Sequence, residues 1–275
     1  MRFPLSILLL GLSLGLAPMS AVADRVHVAA ASSLQFAMPS LIERFKTSDS
    51  GVSKDGDIDL SVTFGASGNL QRQIEQGAPF ALFLSADERR ARDLEQAGLT
   101  QGDGVDYAQG RLVWLQRDDR PLPPQDAPLE AVREAVREAV AGLEQGGPAR
   151  RIALANPRHA PYGMAAREVL ERQGLWQASE PLQLLGENVA QAAQFALSAE
   201  ASGGLVAYSL VKAPRLAERA GWRLIPSDWH RPLVQRMVLL EGAGAGAEAF
   251  FDFLQTPEAQ EILRDYGFTA PVTGE

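Results

Sequence analysis

The chain has 275 residues, 46% of them apolar and 22% charged, which is the composition of a globular protein and a length for one large domain or two ordinary ones. Its net charge of −8 makes nucleic acid and anionic membrane poor partners. The absence of cysteine excludes disulfides, thiolate metal sites, cysteine nucleophiles and lipid attachment at a signal-site cysteine.

At the start of the chain Arg2 precedes an apolar stretch from Leu5 to Ala17, and Ala21-Val22-Ala23 has the small-x-small pattern of a signal-peptidase site. Residues 1–23 are therefore predicted to be a signal peptide cleaved after Ala23, with Asp24 as the first mature residue. The apolar stretch is too short for a comfortable span and no later segment is longer, so membrane insertion is not expected. The reading is a freely diffusing exported protein of the periplasm.

In the mature chain "RVHVAAA" reads as a short apolar strand, followed by Leu34, Met38, Leu41, Ile42 and Phe45 at helical spacing. Pro39 leaves two possibilities, an irregular first turn or a helix that begins at the proline. "DIDLSVTFGAS" alternates as a strand, "NLQRQIEQG" is a helix closed by Gly77, "FALFLSAD" is a buried strand and "ERRARDLEQAG" a charged helix. This rhythm predicts an α/β layer architecture. "GRLVWLQR" is the next strand, and a proline-rich connector, "RPLPPQDAP", leads to "LEAVREAVREAVAGLEQGG", an amphipathic surface helix with a wet face of Glu and Arg or else a helix that docks a partner. Beyond it "RRIALANP" and "LQLLGEN" are strands around the helix "GMAAREVLERQG". "GGLVAYSLV" follows the helix "VAQAAQFALSAEA" as a strand, and "VQRMVLLEG" is the last one. The chain closes with the helix "TPEAQEILRDYG", with Thr256 as N-cap, Pro257 at the first position and Gly267 past the end.

Catalytic constellations are poor. Gly65-Ala66-Ser67-Gly68-Asn69 is superficially like a nucleophile elbow, but its fifth position is asparagine, and His27, His159 and His230 are the only candidate bases. The histidines lack metal-ligand spacing, and neither a P-loop nor a dinucleotide fingerprint occurs. What does stand out is five short segments, "AASSL" (30–34), "GASGNL" (65–70), "HAPYG" (159–163), "ENVAQ" (187–191) and "VAYSL" (206–210), four of which lie where a strand hands over to a helix. The first turn of a helix has unpaired N–H groups and partial positive charge, so several such turns aimed at one point hold an anion without a cationic side chain.

These five segments, together with "QIEQGAPFALFLSAD" and the terminal "YGF", resemble the periplasmic molybdate-binding proteins of molybdate ABC importers, from Val26 to Phe268. The resemblance implies an α/β two-lobed clamp crossed twice by the chain, near Tyr107 to Arg111 and near Ser227 to Leu233. Residues 24–108 with 232–275 would form lobe 1, and residues 109–231 lobe 2. It implies a non-enzymatic monomer with no cofactor, whose ligand is molybdate or tungstate and whose partners are an ABC permease and its cytoplasmic ATPase. Carried over by position, Ser33 and Ser67 supply hydroxyls, Tyr162 and Val189 their backbone amides, and Tyr208 its phenol, while Ser32 supports the ligands from behind or caps the turn, and molybdenum enters only as the oxyanion. Sulfate or another tetrahedral oxyanion is the alternative ligand, and a secreted hydrolase using Ser67 the alternative class. Two features depart from the family: Phe80-Ala81 stands where Pro-Ala-Asp is usual, and residues 121–150 form a longer segment.

Overall fold

The computed structural model describes residues 25–48, 52–53, 56–145, 150–213, 216 and 220–271; the predicted leader and its cleavage point after Ala23 lie outside the described residues. In chain order the strands are β1 (Arg25–Ala31), β2 (Val52–Ser53), β3 (Gly56–Asp57), β4 (Asp59–Gly65), β5 (Leu82–Ser85) and β6 (Val105–Gly110), then β7 (Leu112–Arg117), β8 (Arg151–Ala155), β9 (Gln183–Gly186), β10 (Ala201–Ala207), β11 (Ala220–Leu224) and β12 (Leu233–Leu239). They build two five-stranded sheets, β4-β1-β5-β12-β6 and β11-β7-β10-β8-β9, while β2 and β3 make a small antiparallel pair. In the first sheet β1 runs parallel to β4 and β5, and β12 is antiparallel to β5 and β6. In the second, β8 is parallel to β9 and β10, and β7 is antiparallel to β10 and β11. The chain steps from the first sheet to the second at Arg111 and returns between Leu224 and Leu233.

Helices cover both sheets. Those of the first are α1 (Ala37–Thr47), α2 (Ser67–Glu75) and α3 (Glu88–Gln96); the second has α4 (Glu130–Gln145), α5 (Pro161–Arg172), α6 (Trp176–Ser179), α7 (Val189–Ala196) and α8 (Tyr208–Val211); α9 (Ala245–Phe253) and α10 (Pro257–Asp265) return to the first. Each sheet has its own core. Beneath the first, Phe45 packs edge-on against Phe250 at 5.1 Å between ring centres and lies 5.4 Å from Phe253. Trp114, Ile152, Leu154, Val169 and Leu205 fill the second, and Val132 and Ala135 bury one face of α4 against it. The other face of α4 carries Glu130, Glu134 and Arg137 in exposed ion pairs, as an amphipathic surface helix requires.

The Pro39 ambiguity resolves into an irregular start. Ser32–Leu34 form a single 3₁₀ turn, and α1 then begins at Ala37, with Pro39 in its first turn where the missing N–H has no intrahelical partner. The final helix follows its sequence signals, because the Thr256 hydroxyl accepts from the Ala259 amide and Gly267 turns out of the helix at φ +80°. Two edge strands, β6 and β11, carry too little apolar alternation to be read from sequence, and the strand expected over residues 203–211 ends at Ala207, where the chain turns into α8.

A buried charge cluster ties the first sheet to α3. Arg236 on β12 is 9% exposed, donates from Nε to Glu95 at 2.9 Å and from Nη1 to Asp106 of β6 at 2.8 Å. Removing one member of such a cluster leaves the others' charge without compensation. Arg236→Met is expected to lower the unfolding free energy by about 2–4 kcal/mol, measured by urea denaturation. An unchanged midpoint and slope would show that the cluster carries no net stability.

Candidate oxyanion site

In a parallel sheet every strand delivers its carboxyl end, and the helix start that follows, to one edge. Both sheets turn that edge toward the same place. From the first come Ser32 and Ser33 after β1, Gly65 to Ser67 after β4, and Ala86 after β5; from the second come Ala160 to Tyr162 after β8 and Val189 after β9. Together they line one small cavity between the two sheets. Among the described residues no charged side chain lines this space.

The helix starts here keep amides that no cap side chain covers. The N-cap residues of α2 and α5 are Ala66 and Ala160, which have no capping side chain, and that of α7 is the neutral Asn188; acidic Asp87 caps α3 instead. Asn188 Oδ1 accepts from Ala190 and Gln191 at 3.0 Å, and its carbonyl accepts from Ala192. The Val189 amide is thus the one in that first turn with no acceptor within its own helix. In α5 Pro161 has no N–H and Met164 donates to the Ala160 carbonyl, so Tyr162 and Gly163 carry the open amides. In α2 the Gly68 amide crosses to the His159 carbonyl at 3.0 Å, which ties the two sheets' edges together directly beside the cavity.

Side-chain hydroxyls complete the donor set. Ser67 Oγ accepts from the Ala86 amide at 2.9 Å, which occupies a lone pair and leaves its proton to donate elsewhere. Ser33 is 1% exposed, and its Oγ has no hydrogen-bond partner among the described residues. Ser32 also lines the cavity, and its Oγ receives a long bond of 3.4 Å from the Ala190 amide of the second sheet's α7. Sequence reading placed Ser32 behind the ligands or as a cap; the 3₁₀ turn at Ser32–Leu34 brings both serines to the wall, a geometry no helix period announces.

Of the five residues expected from sequence, Ser33, Ser67, Tyr162 and Val189 meet at this cavity and Tyr208 does not line it. Residue 208 opens a helical turn rather than continuing β10, its amide is held by the Arg111 carbonyl at 2.8 Å, and its ring packs on Trp222 with centres 4.9 Å apart. Gly267 approaches the same ring so closely that a methyl there would lie 2.5 Å from it. The segment reaches the cavity through the next residue: Ser209 Oγ donates to the Ser33 carbonyl at 2.7 Å, bracing the turn that presents Ser33. Nor does the geometry favour a Ser67 nucleophile, since His159 gives α2 its carbonyl and turns its ring Nε2 to the Glu187 carbonyl at 2.9 Å.

Charges stand one layer back and neutralise each other. Arg90 packs behind Gly68, where a methyl would lie 2.8 Å from its Cζ; Nη1 donates to Gln71 at 3.0 Å, and Nε lies 3.8 Å from Asp87. Burial raises the Asp87 pKa above the usual carboxylate value, against the Arg90 amide bond and the guanidinium, which lower it. Among the described residues no group of three or more His, Asp or Glu side chains is placed to hold a metal ion, and no helix is long and apolar enough to cross a membrane.

A fold of two α/β lobes whose strand ends converge on a small, uncharged, donor-lined cavity defines a solute-binding protein, and residues 26–269 match the family model for bacterial extracellular solute-binding proteins, to which the chain belongs. Within that family it is ModA-like. It is 37% identical over 214 residues to the molybdate-binding protein ModA of Rhodobacter capsulatus, covering 76% of this chain and 77% of that one. With ModA of Azotobacter vinelandii it shares 33% identity over 272 residues, covering 98% and 99%. The solved structure of the Azotobacter vinelandii periplasmic molybdate-binding protein superposes with a TM-score of 0.74 at 26% identity, covering 90% of this chain and 99% of that one.

A pH dependence follows from Asp87. A carboxyl whose pKa is raised on folding opposes folding where it is ionised, and that opposition disappears in acid, below its unfolded pKa. Asp87→Asn keeps the capping acceptor and removes the buried charge. The variant is expected to melt above the parent at pH 7, with the gap closing towards pH 3; a gap independent of pH would assign the difference to packing.

Proposed function

We propose that this protein captures a fully deprotonated tetrahedral oxyanion, molybdate first and tungstate alongside it, between its lobes and hands it to a membrane permease driven by a cytoplasmic ATPase. It does so as a periplasmic monomer, after removal of residues 1–23 and without catalysis. Residues 24–108 with 232–275 act as one lobe and 109–231 as the other. The hydroxyls of Ser32, Ser33 and Ser67 and the amides of Tyr162 and Val189 are the donors, drawn from both lobes. The observation that carries this reading is the cavity lined by donors and by no charge. The ModA relatives, named for binding molybdate, supply the ligand.

The same donor set explains selectivity. With no carboxylate or imidazole lining the cavity to accept a proton, an O–H on the ligand meets donors rather than acceptors. Phosphate carries such a proton near neutral pH, at a cost of about 1–3 kcal/mol or more when it is buried. Sulfate is deprotonated but smaller, so a cage shaped to the larger metal oxyanions holds it through longer, weaker bonds. A receptor shaped to sulfate or another tetrahedral oxyanion is the competing reading, since those ions ask for the same donors.

Calorimetry on the mature protein tests both. Molybdate and tungstate are expected to bind with similar affinity, sulfate far more weakly and phosphate negligibly; displacement of molybdate by sulfate at comparable concentration would transfer the assignment to the alternative oxyanion.

Variants test the donors. Ser33→Ala and Ser67→Ala are each expected to weaken molybdate binding by about 1.5–3 kcal/mol, the value of a hydrogen bond to a charged acceptor, without loss of fold. Tyr208→Phe, whose ring packs on Trp222 and Gly267, is expected to bind as the parent does; a loss matching that of the serines would return its phenol to the site.

A further inference from the structure

The Tyr162 side chain has no part in the donor set above, which uses only its amide, yet it is among the most completely buried groups of the molecule. Tyr162 is 1% exposed, and its hydroxyl has no hydrogen-bond partner among the described residues. A buried polar group without a partner calls for an explanation, because its desolvation is uncompensated. The ring starts on α5 in the second lobe and ends against Gly110, the last residue of β6 in the first sheet. A methyl on Gly110 would lie 2.1 Å from the Tyr162 hydroxyl, so only glycine admits it.

Two neighbours decide what this hydroxyl does. Near Gly110 the end of Gln235 that comes closest is Nε2, which already donates to the Ala86 and Leu233 carbonyls at 3.1 Å, while its Oε1 is a buried acceptor without a partner among the described residues. The other is Ser33, equally buried, whose Oγ is the second unpartnered hydroxyl at the cavity wall. Both residues line the same cavity; burial raises the Tyr162 pKa well above that of a free phenol, and the Ser33 side chain lowers it. A phenol kept protonated remains a donor at every physiological pH.

We propose that the Tyr162 hydroxyl is a positioning residue for the anion site, donating to Ser33 Oγ and thereby directing the single Ser33 proton at the bound oxyanion. The inference rests on the reading of Ser33 as an anion donor. Ser33 has one proton and two lone pairs; with Tyr162 donating to it, its own proton has the anion as acceptor, and the two bonds polarise one another in a site shielded from water. Occupation of a Ser33 lone pair also removes an acceptor that a protonated ligand needs. Tyr162 thus raises affinity for a deprotonated oxyanion and sharpens discrimination against hydrogen phosphate.

Tyr162→Phe keeps the ring and the backbone amide and removes only the hydroxyl. Titrated calorimetrically with molybdate, the variant is expected to bind about tenfold more weakly and to lose part of its preference over phosphate, with unchanged melting behaviour of the free protein. The decisive measurement is a double-mutant cycle. In a Ser33→Ala background the Tyr162→Phe change is expected to have no further effect on molybdate affinity, whereas in a Ser67→Ala background it keeps its full tenfold effect. Equal losses in both backgrounds, or no loss in the single variant, overturn the coupling to Ser33 and leave the anion site as proposed. A Ser33→Ala protein that binds molybdate as the parent does overturns the underlying reading and this inference with it.

Discussion

An anion taken out of water has to be met by donors whose positive ends are already in place, and three helix starts of this chain present such donors at one cavity. Each helix start offers a partial positive charge of roughly half a unit and up to four amides without internal partners. Such a start is useful to a ligand only where the protein has not spent it on a side chain. The α2 and α5 starts are capped by alanines, and α7 by an asparagine that covers two amides and leaves Val189 open. An aspartate at residue 188 would serve α7 equally well as a cap but would place a negative charge beside the cavity.

Lobes that share a ligand also need contacts that hold their edges in register without competing for it. Here these contacts are hydrogen bonds around the cavity rim: Gly68 to the His159 carbonyl, Ser209 to the Ser33 carbonyl at 2.7 Å and the longer Ala190 bond to Ser32. Each is worth about 1 kcal/mol net, so closure is held by a few kcal/mol. That is a size a bound ion can match, which under the proposed function would let the ligand's own differential affinity separate closed from open states.

The surface and the site obey different electrostatics. A net charge of −8 repels anions at long range, but over a Debye length of roughly 8 Å that field fades, whereas amides and hydroxyls act at contact distance in a space that no carboxylate lines. Arg90 and Asp87 illustrate the same separation. They sit close behind the cavity wall, yet as a pair they present a dipole and not a net charge.

Residue order alone determined the elements that have strong local signals. The apolar run at Arg25–Ala31, the Thr256-Pro257 start and Gly267 end of the last helix, and the strand-to-helix junctions that carry Ser67, Tyr162 and Val189 were all legible, because caps, breakers and hydrophobic period act within a few residues. Two edge strands were not, β6 with Asp106 and Gln109 in its run and β11, because a neighbouring strand and not their own pattern makes them strands. The 3₁₀ turn that brings Ser32 to the wall beside Ser33, the ending of β10 before Tyr208, and the approach of Tyr162 to Gly110 were decided only in three dimensions. Each depends on contacts between residues tens to hundreds of positions apart, such as Ser209 with Ser33 and Tyr208 with Gly267, and no local propensity encodes that both adjacent serines, but only one of the two tyrosines, line the cavity.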